Sequence, residues 1–226
     1  MKITWYGHSS FGVVSQDNVR IVTDPYDPET SGYKPFPDKA DIVIKSSSHD
    51  DFHDNDHLVP KKSGAHVYDA IDIALSGGCT ISHGIKIQSI LSMEHLNHPR
   101  GHAEQNAMYR FTVDDITVGH MGDMGNDFSE EQMDFFRGVN ILFSHAGGFP
   151  VIDLEELKRI VCTVQPNLVI PMHFRTLCFK PCNMHFITEF LRLFSEPDIE
   201  FACRSSVSIV KEQLPQKTRA LILSYL

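Results

Sequence analysis

Between Ser48 and Asp54 the chain reads Ser-His-Asp-Asp-Phe-His-Asp, which sets His49 and His53 among Asp50, Asp51 and Asp54. Imidazole and carboxylate this close together, just after the apolar run 40–44, are the donors that hold a divalent cation. Three further segments put a metal-ligand residue type where a predicted strand meets a loop. They are Met93-Glu94-His95-Leu96-Asn97-His98, His120-Met121-Gly122-Asp123 and Pro171-Met172-His173-Phe174. Loops at strand ends are where folds commonly build active sites. By itself, 49–54 also reads as a solvated loop held by Asx turns.

The elements that must position these residues can be read from apolar spacing. Short apolar runs at 2–6, 11–15 and 19–23, separated by turn residues, predict strands. A polar, Pro-rich loop over 25–39 leads to a buried strand at 40–44. Strands at 85–91, 107–113 and 116–119 follow, the last two joined by the tight turn Asp114-Asp115. The second half alternates helix and strand. Ser129-Glu130-Glu131-Gln132 is a capping box with Met133 and Phe136 as its apolar face. Asp153 with Glu156 caps a helix whose Leu154, Leu157, Ile160, Val161 and Val164 recur at helical spacing. Helical spacing returns at 184–194, and 139–143, 168–171, 199–202 and 207–210 read as strands, the last two closing the fold. The whole of 1–226 reads as one mixed α/β (α+β) domain with two sheets.

Bulk composition narrows the function classes. The 226 residues are 42% hydrophobic and 22% charged, ordinary for a globular domain with a sizeable core. A formal net charge of −9 argues against a nucleic-acid partner. No apolar run approaches the ~20 residues a membrane span needs, and Met1–Gly7 lacks the apolar stretch of a signal peptide. Five cysteines, at 79, 162, 178, 182 and 203, are odd in number and loosely spaced, which argues against a disulfide framework and for the cytoplasm. Thirteen histidines are the compositional outlier, many beside Asp, Glu, Gly or another His.

The order of these motifs resembles the metallo-β-lactamase-fold hydrolases. The resemblance starts at Trp5-Tyr6-Gly7-His8 and Thr23-Asp24-Pro25, runs through the His-rich loop, and ends at Ile170-Pro171-Met172-His173-Phe174-Arg175-Thr176. It is nearest to the small Zn-dependent, sugar-phosphate-lactonase-like branch. It implies a four-layer αβ/βα sandwich with a metal centre at one edge of the two sheets. The family's first motif, His-x-His-x-Asp-His, falls on positions 49, 51, 53 and 54. His49 matches, while Asp51, His53 and Asp54 exchange ligand types with the pattern. His95, Asp123 and His173 match the remaining ligand positions.

Carried over, the resemblance implies one metal at His49, Asp51, His95 and Asp123, and a second at His53 or Asp54, Asp123 and His173. The expected cofactor is one or two divalent ions, zinc first, with iron or manganese favoured by the carboxylate at 51. The metal would lower the pKa of water to ~7 for attack on an ester, lactone or phosphoester of a small molecule. Asp123 would hold or bridge the metal, and Asp54 would accept the proton. His8 is a candidate substrate or supporting contact, as is Arg175. Asp24 either orients a ligand or caps a turn. Gly147-Gly148 lets backbone approach the site. His57, His98, His102, His120 and His145 fall outside the ligand set. Two other readings share the residues: a catalytically silent, metal-poor binding module and an iron-dependent redox enzyme. A homo-oligomer is compatible with all three.

Overall fold

Ile3, Val13, Ile21 and Ile42 sit opposite one another on neighbouring strands and are fully buried. They belong to β1 (Lys2–Gly7), β2 (Ser10–Val14), β3 (Arg20–Thr23) and β4 (Ala40–Lys45). Side chains alternate across a strand, so Trp5, Phe11 and Ile44 share that face and Tyr6, Val22 and Val43 take the other. Between β3 and β4 lies the short helix α1 (Pro28–Ser31), capped by Asp27. The computed structural model describes residues 1–48, 50–94, 105–148, 151–181 and 183–226. His49, His95, His98, Arg100, His102 and Cys182 lie outside the described residues.

After β4 come β5 (Lys61–Asp69), α2 (Ala70–Leu75), β6 (Cys79–Ser82), β7 (Ile85–Met93), β8 (Gln105–Val113) and β9 (Ile116–His120). Then follow α3 (Glu130–Phe135), β10 (Ile141–His145), α4 (Leu154–Val164), β11 (Leu168–Met172) and α5 (Ile187–Leu191). The chain closes with β12 (Ile199–Phe201), β13 (Ser206–Ser208) and β14 (Arg219–Ile222). The first sheet has the order β13-β1-β2-β3-β4-β5, and the second β12-β14-β11-β10-β9-β8-β7-β6. The predicted strand near 207–210 is β13, and it pairs with β1 at the edge of the first sheet.

The two sheets face each other across one core, where Phe11 of β2 stacks on Phe143 of β10 with ring centroids 3.9 Å apart. Leu142 and Val169, on the other face of the second sheet, are also fully buried. α4, which crosses between the parallel strands β10 and β11, brings Leu157, Ile160, Val161 and Val164 into the same core. Over the outer face of the first sheet lies an aromatic loop instead of a long helix. Tyr26, Tyr33 and Phe36 pack with Tyr6, Val22 and Val43. Gly12 lets the Tyr6 ring lie on the sheet, since a Cβ there would stand 2.3 Å from the Tyr6 hydroxyl.

Strand direction decides where chemistry can gather. β3 and β4 run parallel, as do β9, β10 and β11. Their C-terminal ends release Asp24, the 46–54 loop, Asp123, His145 and His173. Open α/β sheets bind ligands at this edge.

Candidate metal centre

Asp24 follows β3 and is fully buried. Its carboxylate accepts from the Ser46 amide at 2.9 Å, the Ser46 hydroxyl at 2.6 Å and the Tyr109 hydroxyl at 3.0 Å. Three donors make a buried carboxylate tenable without a cation. The same contacts fasten the start of the 46–54 loop to both sheets, since the Ser46 carbonyl accepts from the Ala107 amide.

Asp50 then shapes the loop. Its Oδ1 accepts from the Phe52 amide at 2.8 Å, an Asx turn, and its carbonyl accepts from the Asp54 amide. The turn swings His53 inward to 1% exposure and leaves Asp51 exposed. Asp50 Oδ2 stands 2.6 Å from His53 Nδ1, and Asp123 Oδ2 stands 3.7 Å from the same nitrogen. On the other side of the ring, the Ser9 hydroxyl is 3.2 Å from Nε2. Burial would push the His53 imidazolium down, but Asp123, Asp50 and the hydrogen bond to Asp50 outweigh it and hold the group up at about 10. Burial opposes ionisation of Asp123 as well, yet His53 and His173 draw its carboxyl well below the usual range.

His8 and His173 both take a left-handed backbone, at φ 48 and 52. The His8 carbonyl joins them by accepting from the His173 amide at 3.1 Å. Strain of this kind in non-glycine residues gathers at functional sites. The His8 ring lies between Phe52 and Phe179, with centroids 5.2 and 5.0 Å away, so its plane is fixed. Burial holds it neutral. His173 Nε2 is 3.3 Å from Asp123 Oδ1.

Three overlapping groups each bring one nitrogen or oxygen per residue within 4.8 Å of one another. They are His8, His53 and His173; Asp123, His145 and His173; and Asp50, His53 and Asp123. His145 Nδ1 and His173 Nδ1 are buried without a hydrogen-bond partner among the described residues, and Asp123 Oδ1 makes no hydrogen bond there beyond its 3.3 Å contact with His173 Nε2. Buried polar atoms are rarely left so, and a converging set of carboxylate and imidazole is chemically suited to a divalent cation.

Of the residues expected from sequence, the structure gathers His53, Asp123, His173 and His8. The Asp51 side chain points away, and its carbonyl accepts from Asp27 and Asn55. Asp54 pairs with Lys45 and belongs to none of the three groups. Arg175 stacks its guanidinium 4.7 Å from the centre of the Phe186 ring. His57 is exposed. His120 spends both ring nitrogens on backbone, Nε2 donating to the Ser9 carbonyl and Nδ1 accepting from the Gly122 amide, which leaves no lone pair for a metal. Asp50 and His145 join the cluster from outside the expected ligand set. His145 had a legible signal, since Ile141, Phe143 and His145 alternate onto the inner face and His145 ends a parallel strand. Gly147 does provide a close backbone approach, because a Cβ there would lie 2.2 Å from the His173 carbonyl oxygen.

The family described as the Beta-lactamase superfamily domain matches residues 2–173. The chain belongs to this superfamily. A UPF0173 protein of Pyrococcus abyssi is 29% identical over 187 residues, covering 78% of this chain and 84% of the relative. A protein of Thermoplasma acidophilum named UPF0173 metal-dependent hydrolase is 24% identical over 192 residues, with the same coverage. Among solved structures, a protein of Thermotoga maritima described as a Zn-dependent hydrolase of the metallo-β-lactamase superfamily aligns with a TM-score of 0.76 and 26% identity. That alignment covers 100% of this chain and 99% of the other. In this metallo-β-lactamase-superfamily chain, the gathered His and Asp side chains lie at the strand-end edge described above. No helix among the described residues is long and apolar enough to cross a membrane.

Proposed function

We propose that the protein is a metal-dependent hydrolase that cleaves an ester, lactone or phosphoester of a small molecule. The observation that carries this is the overlap of three His/Asp groups that share His53, Asp123 and His173 pairwise, with His173 Nδ1 buried and without a hydrogen-bond partner among the described residues. These three would hold a divalent cation, zinc first, with His49 and His95 as the further ligands the family pattern implies. The ligand types also accommodate a second ion, and the two carboxylates, Asp50 and Asp123, keep manganese and iron in play. A bound cation supplies Lewis acidity, lowering the pKa of water and polarising the scissile oxygen.

The chain's own residues do the rest. Asp50 fixes the His53 ring by accepting from Nδ1, the carboxylate–histidine arrangement that orients metal ligands. Asp123 spans His53 on one oxygen and His173 on the other. His8, neutral and clamped between two phenylalanines, is the candidate substrate contact. Arg175 lies on the strand-end loop after His173, where it could meet an anionic group. Elemental analysis of protein purified without added metal, with His173→Ala and Asp123→Ala alongside, tests the reading. The wild type should carry metal and hydrolyse aryl esters or phosphodiesters, and both variants should lose metal and activity together. Full hydrolysis by metal-free protein would overturn it.

A further inference from the structure

His145 lies among the candidate ligands, yet its hydrogen bonding assigns it a different part. Its Nε2 accepts from the Met124 backbone amide at 3.2 Å. A cationic imidazolium has no acceptor, so the ring is neutral and its single proton sits on Nδ1. That Nδ1 is buried and has no partner among the described residues. The two nitrogens are therefore both unsuited to a metal: one lone pair is taken by the backbone, and the other site carries hydrogen. Ligation through Nδ1 would need the proton moved to Nε2, which would break the Met124 bond and leave that buried amide unpaired.

The ring is also tightly placed. It ends β10, where main-chain pairing with β11 sets His145 opposite Met172. It meets His173 edge-on, with centroids 4.8 Å apart. Met124, its donor, follows Asp123 directly. A neutral donor with no acceptor among the described residues, fixed beside the ligand cluster, is the arrangement that stabilises negative charge appearing on a substrate oxygen.

We infer that His145 is not a metal ligand and that its Nδ1–H is held for the oxygen of the substrate that gains charge during hydrolysis. The inference rests on the metal-hydrolase reading for its purpose, though not for the state of the ring.

Isotope-edited proton–nitrogen NMR of the histidine rings in the full chain tests it, with zinc alone and inorganic phosphate as probes. The His145 ring should show a protonated Nδ1 and a bare Nε2, unchanged when zinc is added. A ring protonated on Nε2, or one whose nitrogen shifts as a zinc ligand, would overturn the inference. His145→Gln should bind as many zinc ions as the wild type, while phosphate binding to the zinc-loaded protein weakens about tenfold. Loss of a zinc ion in that variant, or undiminished phosphate binding, would also overturn it. Wild-type protein that takes up no zinc would sink the metal-hydrolase reading instead, and the ring state would still decide this one.

Discussion

His53 Nδ1 and Asp50 Oδ2 stand 2.6 Å apart, and this pair, not the neighbouring Asp51, turns the His-rich loop toward the cluster. Asp50→Asn removes the charge that orients the ring. It should weaken zinc affinity about 10–100-fold, measured by chelator competition. Asp51→Asn, at an exposed side chain, should leave the affinity unchanged. A larger loss at 51 than at 50 would restore the ligand set that the family pattern implies.

The protonation of His53 sets a pH dependence. Its ordinary value is 6.5, and its folded-state value is raised to about 10. A raised histidine stabilises the fold fully below its unfolded value and loses that contribution as pH climbs through the folded one. Asp123, ordinarily near 3.8, is lowered, so its contribution is present above that value and lost on further acidification. The urea midpoint of metal-free protein should therefore fall as pH rises from about 6.5 to about 10. Zinc must displace the His53 proton, so affinity should increase about tenfold per pH unit over that range, with one proton released per ion in calorimetry.

Much of this was legible before any coordinates. β1 to β4 and β7 to β11 announce themselves because one or both faces are buried and apolar, and the caps at Ser129 and Asp153 are chemical signals that hold as written. β5 escaped notice because Lys61, Lys62, Ser63, Gly64 and His66 build an exposed edge strand, where polar residues protect against misassociation and erase the apolar period. The site was legible in kind and less so in detail. Asp50 and Asp51 are chemically identical neighbours, and only an Asx turn decides which one meets His53.

Asp24 should matter for folding more than for metal. Tyr109→Phe removes one of its three donors inside a fully buried pocket. The expected cost is about 1.5–3 kcal/mol, a hydrogen bond to a charged group. At roughly 2–4 °C per kcal/mol for a domain this size, calorimetry should resolve the lower Tm. Metal content should stay that of the wild type. Loss of metal with an unchanged Tm would mean that Asp24 acts on the site directly.

Gly147 and Gly138 separate close approach from chain freedom. At Gly147 an added Cβ would meet the His173 carbonyl at 2.2 Å and Met184 at 3.1 Å, while at Gly138 it meets nothing within 4 Å. Backbone cannot move aside cheaply, so Gly147→Ala must displace the His173 turn, whose φ of 52 is already strained. Overpacking of this kind costs about 1–3 kcal/mol in stability. A ligand displaced by a fraction of an ångström should also lower zinc affinity about 10–100-fold. Gly138→Ala, at φ 78, should cost about 1–2 kcal/mol of stability from its left-handed backbone alone, with zinc affinity untouched. Equal zinc affinities in the two variants would show that the approach of Gly147 to His173 does not position the metal ligand.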